Sequence, residues 1–129
     1  MTLRVSHTTF NCIDAFALSE WWKAFLEYED LPGDPNLPGH EECMIVDPRT
    51  GHRLLFIEVD ELQPAEGRVH LDLAPNDRRR DEEVERALAM GATPVSDRRY
   101  DDGTGWMVLA DPAGNTFCIV RSDAERAGG

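Results

Sequence analysis

Apolar positions along the chain follow first a strand-like and then a helical period. Leu3 to Cys12 is rich in β-branched and aromatic residues that alternate imperfectly with polar ones, which predicts a strand. Leu18, Trp22 and Phe25 then recur at helical spacing, and Asp14 before them is a good N-cap. The opening pattern therefore predicts a strand that leads into an amphipathic helix.

The rest of the first half predicts a loop and a hairpin. The segment from Leu31 to Glu41 holds three prolines and two glycines, a composition typical of loops. Two short apolar runs follow, Cys43 to Val46 and Arg53 to Val59, on either side of an Asp-Pro-Arg-Thr-Gly turn. We expect these two runs to pair as strands.

The second half repeats this order with weaker signals. Arg68 to Ala74 predicts a strand, Asp77 is the expected N-cap of a second helix, and Gly91 is expected just after that helix in a left-handed conformation. The tail from Ser122 to Gly129 has no periodicity, and we expect it to be frayed. The remaining predicted elements are a strand at Thr93 to Ser96, a loop at Arg98 to Gly105, and a hairpin of Trp106 to Ala110 with Thr116 to Val120.

Fixed spacings show that the two halves are copies of one supersecondary unit. His7 is followed by Asp14 and His70 by Asp77, seven positions later in each case, and Asp-Pro turns follow at Asp47 and Asp111. A repeat of this length suits half of a small domain. Two copies are expected to place the two histidines at equivalent positions across a pseudo-twofold axis, which predicts a shared central cavity.

Composition narrows the function classes. The chain has 129 residues, enough for one domain with one core, and a net charge of −12. Such an acidic chain offers no basic face for nucleic acid or for an anionic membrane. The N-terminus lacks the apolar core of a signal peptide, and three cysteines without a CxxC pair make a poor disulfide framework, so the predicted location is cytoplasmic.

Two motifs resemble a known superfamily. The pattern H-x6-D occurs twice before a helix, and the chain closes with GWMVLADPAGNTFCIV. Together they resemble the vicinal-oxygen-chelate superfamily of glyoxalase I, bleomycin-resistance proteins and extradiol dioxygenases, and in particular its glyoxalase-like domain group. The resemblance extends to about Arg121. It implies an α+β fold with two tandem βαβββ modules, about 1–62 and 66–121, whose curved mixed sheets enclose a cleft, and it implies a homodimer.

The same resemblance implies a set of metal ligands. The family positions fall on His7, Glu58, His70 and Cys118. Glyoxalase I and the dioxygenases have a glutamate at the fourth position, and cysteine suits their oxygen-rich sites poorly. We therefore expect His7, Glu58 and His70 to hold one divalent metal (zinc, nickel, manganese or iron), with Cys118 outside the site and Glu58 as the catalytic group that moves a proton.

Each candidate also has a purely structural interpretation. The histidines can simply line a wet cleft, Glu58 can lie in solvent at the end of its strand, and Cys118 can be a small buried hydrophobe. Trp106 can stack on a ligand, although a core tryptophan is the commoner outcome. Asp72 lies mid-strand in an apolar run, so it either faces a polar cavity or pairs with an arginine. The arginine run 78–80, beside three acids, predicts a solvated helix face.

Three functions are compatible with these residues. The first is binding of a small organic molecule in the cleft, and the second is a metal-dependent lyase or isomerase that acts on vicinal oxygens. The third is a catalytically silent module that acts through a protein partner. Motifs of the common hydrolases and nucleotide-binding proteins are absent from the sequence. The residues predicted to bind a ligand are His7, Asn11, Phe56, Glu58, His70, Asp72 and Trp106.

Overall fold

A computed structural model describes residues 5–61 and 70–128 of the chain. The chain divides into two compact units, Met1–Gln63 and Pro64–Gly129. Every strand pair among these described residues lies within one unit or the other. We call these the first unit and the second unit.

The first unit is a four-stranded mixed sheet with one helix. Its helix α1 is capped as predicted, because the Asp14 carboxylate accepts a hydrogen bond from the N–H of Ala17. The helix ends at Glu27, which adopts a left-handed conformation with φ 59°. The elements are β1 (Thr8–Cys12), α1 (Ala15–Leu26), β2 (Glu29–Asp30), β3 (Glu42–Val46) and β4 (Arg53–Glu58).

The sheet has the order β1-β4-β3-β2, with β1 parallel to β4 and the other neighbours antiparallel. Helix α1 covers one face of it, where the Phe10 ring lies 5.3 Å from Trp22 and 5.2 Å from Phe56. Trp22 and Phe56 are completely buried. The apolar stripe of α1 therefore forms the core of this unit, as the helical spacing predicts.

The second unit repeats the architecture. Its sheet has the order β5-β8-β7-β6, again with one parallel pair, β5 with β8. Val84 and Ala87 of its helix α2 are completely buried, and Gly91 follows that helix with φ 101°, as expected. The elements are β5 (Leu71–Leu73), α2 (Arg80–Ala89), β6 (Thr93–Arg99), β7 (Gly105–Ala110), β8 (Thr116–Ile119) and α3 (Asp123–Gly128).

Strand register confirms the repeat. His7 directly precedes Thr8, which pairs with Leu54 at the start of the β1–β4 ladder. His70 directly precedes Leu71, which pairs with Phe117 at the start of the β5–β8 ladder. The histidines therefore hold equivalent places in two βαβββ units, and the α+β class predicted from the sequence is confirmed.

Several predicted boundaries need correction in the second unit. Helix α2 begins at Arg80, not after Asp77, and Arg79 is its N-cap. The tail is not frayed, since residues 123–128 form α3. Strand β6 extends to Arg99, three residues beyond the prediction, so the loop predicted from Arg98 to Gly105 is shorter.

The two opening strands are also shorter than predicted. Among the described residues, β1 begins at Thr8 and β5 at Leu71. The predicted strand residues 3–4 and 68–69 lie outside the described part of the chain. Within the described residues, no helix is both long and apolar enough to cross a membrane.

Candidate functional site

The predicted ligand-binding residues of the first unit lie on two different faces of its sheet. Asn11 pairs with Ile57, and both lie on the face opposite α1, which we call the open face of the unit. Asn11 and His7 are exposed. His7 has the strand parity of Asn11, so these two predicted residues belong to the same side.

Phe56 and Glu58 lie on the helix-covered face. Phe56 is completely buried against Phe10, so the prediction that it contacts a ligand is wrong. Glu58 is exposed at the end of β4 and pairs with Cys12, four residues beyond Thr8. At a strand rise of about 3.3 Å per residue, Glu58 lies roughly 13 Å along the sheet from the end that His7 precedes. The structure therefore does not bring Glu58 and His7 together.

Register shows which residue of the first unit is equivalent to Cys118. Cys118 pairs with Asp72, two residues after His70. Two residues after His7 is Thr9, and its partner is Leu55. The equivalent of Cys118 is thus Leu55, three positions before Glu58, and it cannot ligate a metal. The ligand position that the resemblance implies for Glu58 is corrected by this register.

The second unit brings three potential ligands together. Asp72 and Cys118 are neighbours on the parallel pair β5–β8, and His70 has the same parity as Asp72. The imidazole Nε2 of His70 lies 3.2 Å from the Asp72 Oδ1, and one donor atom from each of the three side chains lies within 4.8 Å of the others. The side chains of His70 and Asp72 are 41% and 60% exposed. We call these three residues the His-Asp-Cys cluster.

The carboxylate of Asp72 lies beside His70 on the surface, and the polar cavity expected at Asp72 stays a prediction. Its carboxylate faces open space beside the imidazole, and within residues 5–61 and 70–128 no arginine pairs with it. Cys118 is 5% exposed. Burial, with the nearby Asp72 charge, raises the pKa of the Cys118 thiol to about 11, so the metal-free cysteine is a protonated, inert side chain near neutral pH.

An aromatic residue lies on the same face as the cluster. Val108 pairs with Cys118, and Trp106 lies two residues before Val108, so all three share one face of the sheet. The opposite face carries buried apolar residues such as Phe117 and Leu109, and α2 contacts β8. The face of the cluster is therefore the open face of the second unit. Trp106 is 42% exposed there, which fits a ligand contact better than a core tryptophan.

The residues present fit a transition-metal ion. Imidazole, carboxylate and thiolate are all established metal ligands, and this mixture of nitrogen, oxygen and sulfur donors is typical of zinc. Three protein ligands leave at least one position open for water or a substrate. The structure offers no corresponding set around His7 among the described residues.

Sequence reasoning missed the structural importance of one arginine. Arg80 belongs to the run that predicted a solvated face, but it is only 5% exposed. Its Nη1 lies 3.0–3.2 Å from the carbonyl oxygens of Gly103, Thr104 and Gly105. Arg80 therefore connects α2 to the turn before β7 through hydrogen bonds. The sequence around it contains no feature that distinguishes it from Arg78 and Arg79.

An open cavity of about 520 Å³ lies beside the start of α2. Three arginines and three acids contribute to its lining, so the charges balance and favour neither anions nor cations. We assign it no function. Its lining consists of Asn76, Asp77, Arg78, Arg79, Asp102, Gly103, Arg121, Ser122, Ala124, Glu125 and Gly128.

Comparisons with known proteins agree with the fold. A sequence model of the glyoxalase-like domain family matches residues 7–120. No curated protein matches the sequence significantly. Among solved structures, a mutant of the fosfomycin resistance protein FosX from Listeria monocytogenes, in complex with Mn(II) and 1S,2S-dihydroxypropylphosphonic acid, is 20% identical over 100% of both chains, with a TM-score of 0.71.

Two further solved structures are similar. FosX from Mesorhizobium loti is 14% identical over 100% of both chains, with a TM-score of 0.67. Lactoylglutathione lyase from Agrobacterium tumefaciens is 21% identical, with 91% of this chain and 92% of that chain covered and a TM-score of 0.61. At these identities the likeness concerns the fold.

Proposed function

The chain belongs to the glyoxalase-like domain family, and on that premise we propose that it binds a small organic molecule on the open face of its second unit. The observation that carries this proposal is the position of Trp106. An indole that is 42% exposed lies on the sheet face opposite α2, together with three neighbouring polar side chains. Ligand sites commonly combine an aromatic surface with a few polar groups that fix orientation.

Spacing along the sheet suits a molecule of modest size. Trp106 is two residues along β7 from Val108, and Val108 is one strand away from Cys118. With about 3.4 Å per residue and 4.8 Å between strands, the Cα atom of Trp106 lies roughly 8 Å from that of Cys118 and roughly 12 Å from that of Asp72, which is one strand further. A partly aromatic or polar molecule that spans this distance can stack on Trp106 while its polar end reaches Asp72 and Cys118, and His70 lies two residues further from Trp106.

Trp106 fluorescence tests the proposal. We expect at least one compound from a metabolite and antibiotic screen to raise the melting temperature and to change the fluorescence of the parent protein. Trp21 and Trp22 give a background signal, so Trp106→Phe serves as the matched control and should lose the change. A screen without any thermal shift or any Trp106-dependent signal would contradict the proposal.

A metal-dependent lyase or isomerase is the second candidate, and the His-Asp-Cys cluster favours it. Structures with the same fold include a lactoylglutathione lyase and a FosX complex with Mn(II). A bound divalent metal would polarise a substrate oxygen. His70, Asp72 and Cys118 would hold that metal, while Trp106 would position the substrate. Glu58, the proton carrier implied by the resemblance, lies on the other face of its own sheet and has no part in this arrangement.

Oligomeric state is a separate expectation. The resemblance implies a homodimer, and light scattering on the purified chain is the direct measurement. A mass near 29 kDa, twice the 14.5 kDa of one chain, would agree with a dimer. A mass of one chain would count against it and would leave the binding proposal untouched.

A further inference from the structure

We infer that His70, Asp72 and Cys118 form a zinc-selective site, in which Asp72 on β5 supplies the carboxylate that the family places on β8. This inference deepens the second candidate function, because it names the ligands and the preferred metal. It also departs from the ligand set that the resemblance implies. Asp72 and Cys118 take part here, whereas Glu58 does not.

Parallel pairing creates the geometry. Asp72 and Cys118 are register partners on adjacent strands, so their side chains leave the sheet on the same face, about 4.8 Å apart at the backbone. Bonds of about 2.0–2.3 Å in a tetrahedral zinc site place ligand atoms roughly 3.3–3.8 Å from one another. The 3.2 Å separation between His70 Nε2 and Asp72 Oδ1 is close to the lower end of that range. The upper limit of 4.8 Å within the cluster can close through small side-chain rotations.

The first unit shows that the fold does not require this cluster. It keeps His7 at the equivalent position, but Thr9 and Leu55 stand where the second unit has Asp72 and Cys118. The first unit's sheet has an apolar leucine at the place equivalent to Cys118. Packing therefore does not require the three side chains of the cluster at this place, and metal ligation is one function that uses all of them.

Donor chemistry decides the metal. A thiolate and an imidazole favour zinc, whereas manganese and magnesium prefer sites made of oxygen donors. The FosX structure with the same fold holds Mn(II). With sulfur at position 118, we expect this chain to prefer zinc to manganese.

Metal titration of the full chain is the test, with zinc, cobalt and manganese alone and no organic ligand. After removal of metal with a chelator, we expect one zinc per chain, bound at least about tenfold more tightly than manganese. Cobalt should give an absorption band from thiolate-to-metal charge transfer. Cys118→Ser should abolish this band and reduce the preference for zinc, and Asp72→Asn should weaken zinc binding by at least about tenfold.

Glu58→Gln is the matched control, since it removes a carboxylate from the same chain and should leave zinc affinity unchanged. Metal-free variants should keep the circular dichroism spectrum of the parent, and His70→Gln provides an independent ligand variant if Cys118→Ser folds poorly. Failure to bind zinc, or zinc affinity that is insensitive to both Asp72→Asn and Cys118→Ser, would overturn the inference. Because the titration contains no organic ligand, these outcomes leave the Trp106 binding proposal to its own test.

Discussion

Replacement of Arg80 by methionine should destabilise the protein far more than the same change at Arg79. Methionine keeps most of the aliphatic volume of arginine and removes the guanidinium. At Arg80 this removes donors from the carbonyl oxygens of Gly103, Thr104 and Gly105, which lie at the turn before β7. At Arg79 it removes an exposed group whose Nε lies 3.8 Å from Glu82.

The size of the effect follows from the donors that are lost. One nitrogen of Arg80 has two hydrogens for three carbonyls, so we count two charged hydrogen bonds of about 1.5–3 kcal/mol each. Water can replace part of this, because the neighbouring turn is exposed. The Nε contact with Asp81 adds little, since that carboxylate is largely in solvent. We therefore expect a loss of about 3 kcal/mol for Arg80→Met and below about 0.5 kcal/mol for Arg79→Met.

Urea unfolding measures both values. With a slope of about 1–3 kcal/mol per molar urea, a loss of 3 kcal/mol moves the midpoint by at least about 1 M. Hydrogen exchange should also accelerate at the amides around Thr104 in Arg80→Met and not in Arg79→Met. Equal midpoints for the two variants would refute the reasoning that Arg80 fastens the helix to this turn.

Three smaller perturbations follow from the same unit. Glu125→Ala should lower the free energy of unfolding in urea by about 1 kcal/mol and release α3, because the carboxylate accepts one backbone hydrogen bond at the start of α2 and one at the start of α3. Glu125→Gln keeps one acceptor oxygen and should lower it less. Gly105→Ala should lower the free energy of unfolding by more than about 2 kcal/mol, since φ is 92° and a Cβ would overlap the carbonyl oxygen of Arg98. Unchanged stability would contradict that geometry. Hydrogen bonds from Arg99 lower the pKa of Asp97 to about 2, so this carboxylate stabilises the fold above its unfolded pKa and the contribution disappears as pH falls from about 4 towards 2. Asp97→Asn should therefore flatten the urea midpoint against pH in that range, and an unchanged profile would count against the ion pair.

Elements with strong local signals were predictable from sequence. Helix α1 has a side-chain N-cap at Asp14 and three apolar residues on one stripe, and both features depend on contacts within a few residues. The two hairpins, β3–β4 and β7–β8, were also predictable because an Asp-Pro turn lies between the strands of each pair. Local chemistry determines these elements, so the sequence predicts them well.

The start of α2 depends on a residue of the tail and could not be predicted locally. Asp77 has the chemistry of an N-cap, yet the helix starts three residues later, where Glu125 accepts a hydrogen bond from the N–H of Arg80. The two partners are 45 residues apart in sequence. The tail helix α3 does have a local signal, because the Ser122 hydroxyl accepts a hydrogen bond from the N–H of Glu125 and the Glu125 carboxylate accepts one from the N–H of Ser122. Apolar periodicity alone does not detect this Ser-x-x-Glu capping box.

Alternation along each strand predicted which residues share a face with each site residue, but it did not predict which face the helix covers. Trp106 does share an open face with Asp72, as its parity with Val108 and their register with Cys118 require. Glu58 does share a face with Phe56, but that face carries α1. Alternation within a strand determines only which of its side chains point to the same side. The side that the helix covers and the register between strands had to come from the structure.

The two equivalent histidines differ in their neighbours, so the first unit is a natural control for the second. The first unit offers the same ladder and the same histidine without the two side chains beside it. Thr9→Asp together with Leu55→Cys would graft the second unit's trio onto that scaffold, and the metal stoichiometry of the product would show whether three side chains on such a ladder suffice. The same protein thus contains one unit with the three side chains and one equivalent unit without them, and a comparison of the two would show what a metal site minimally requires.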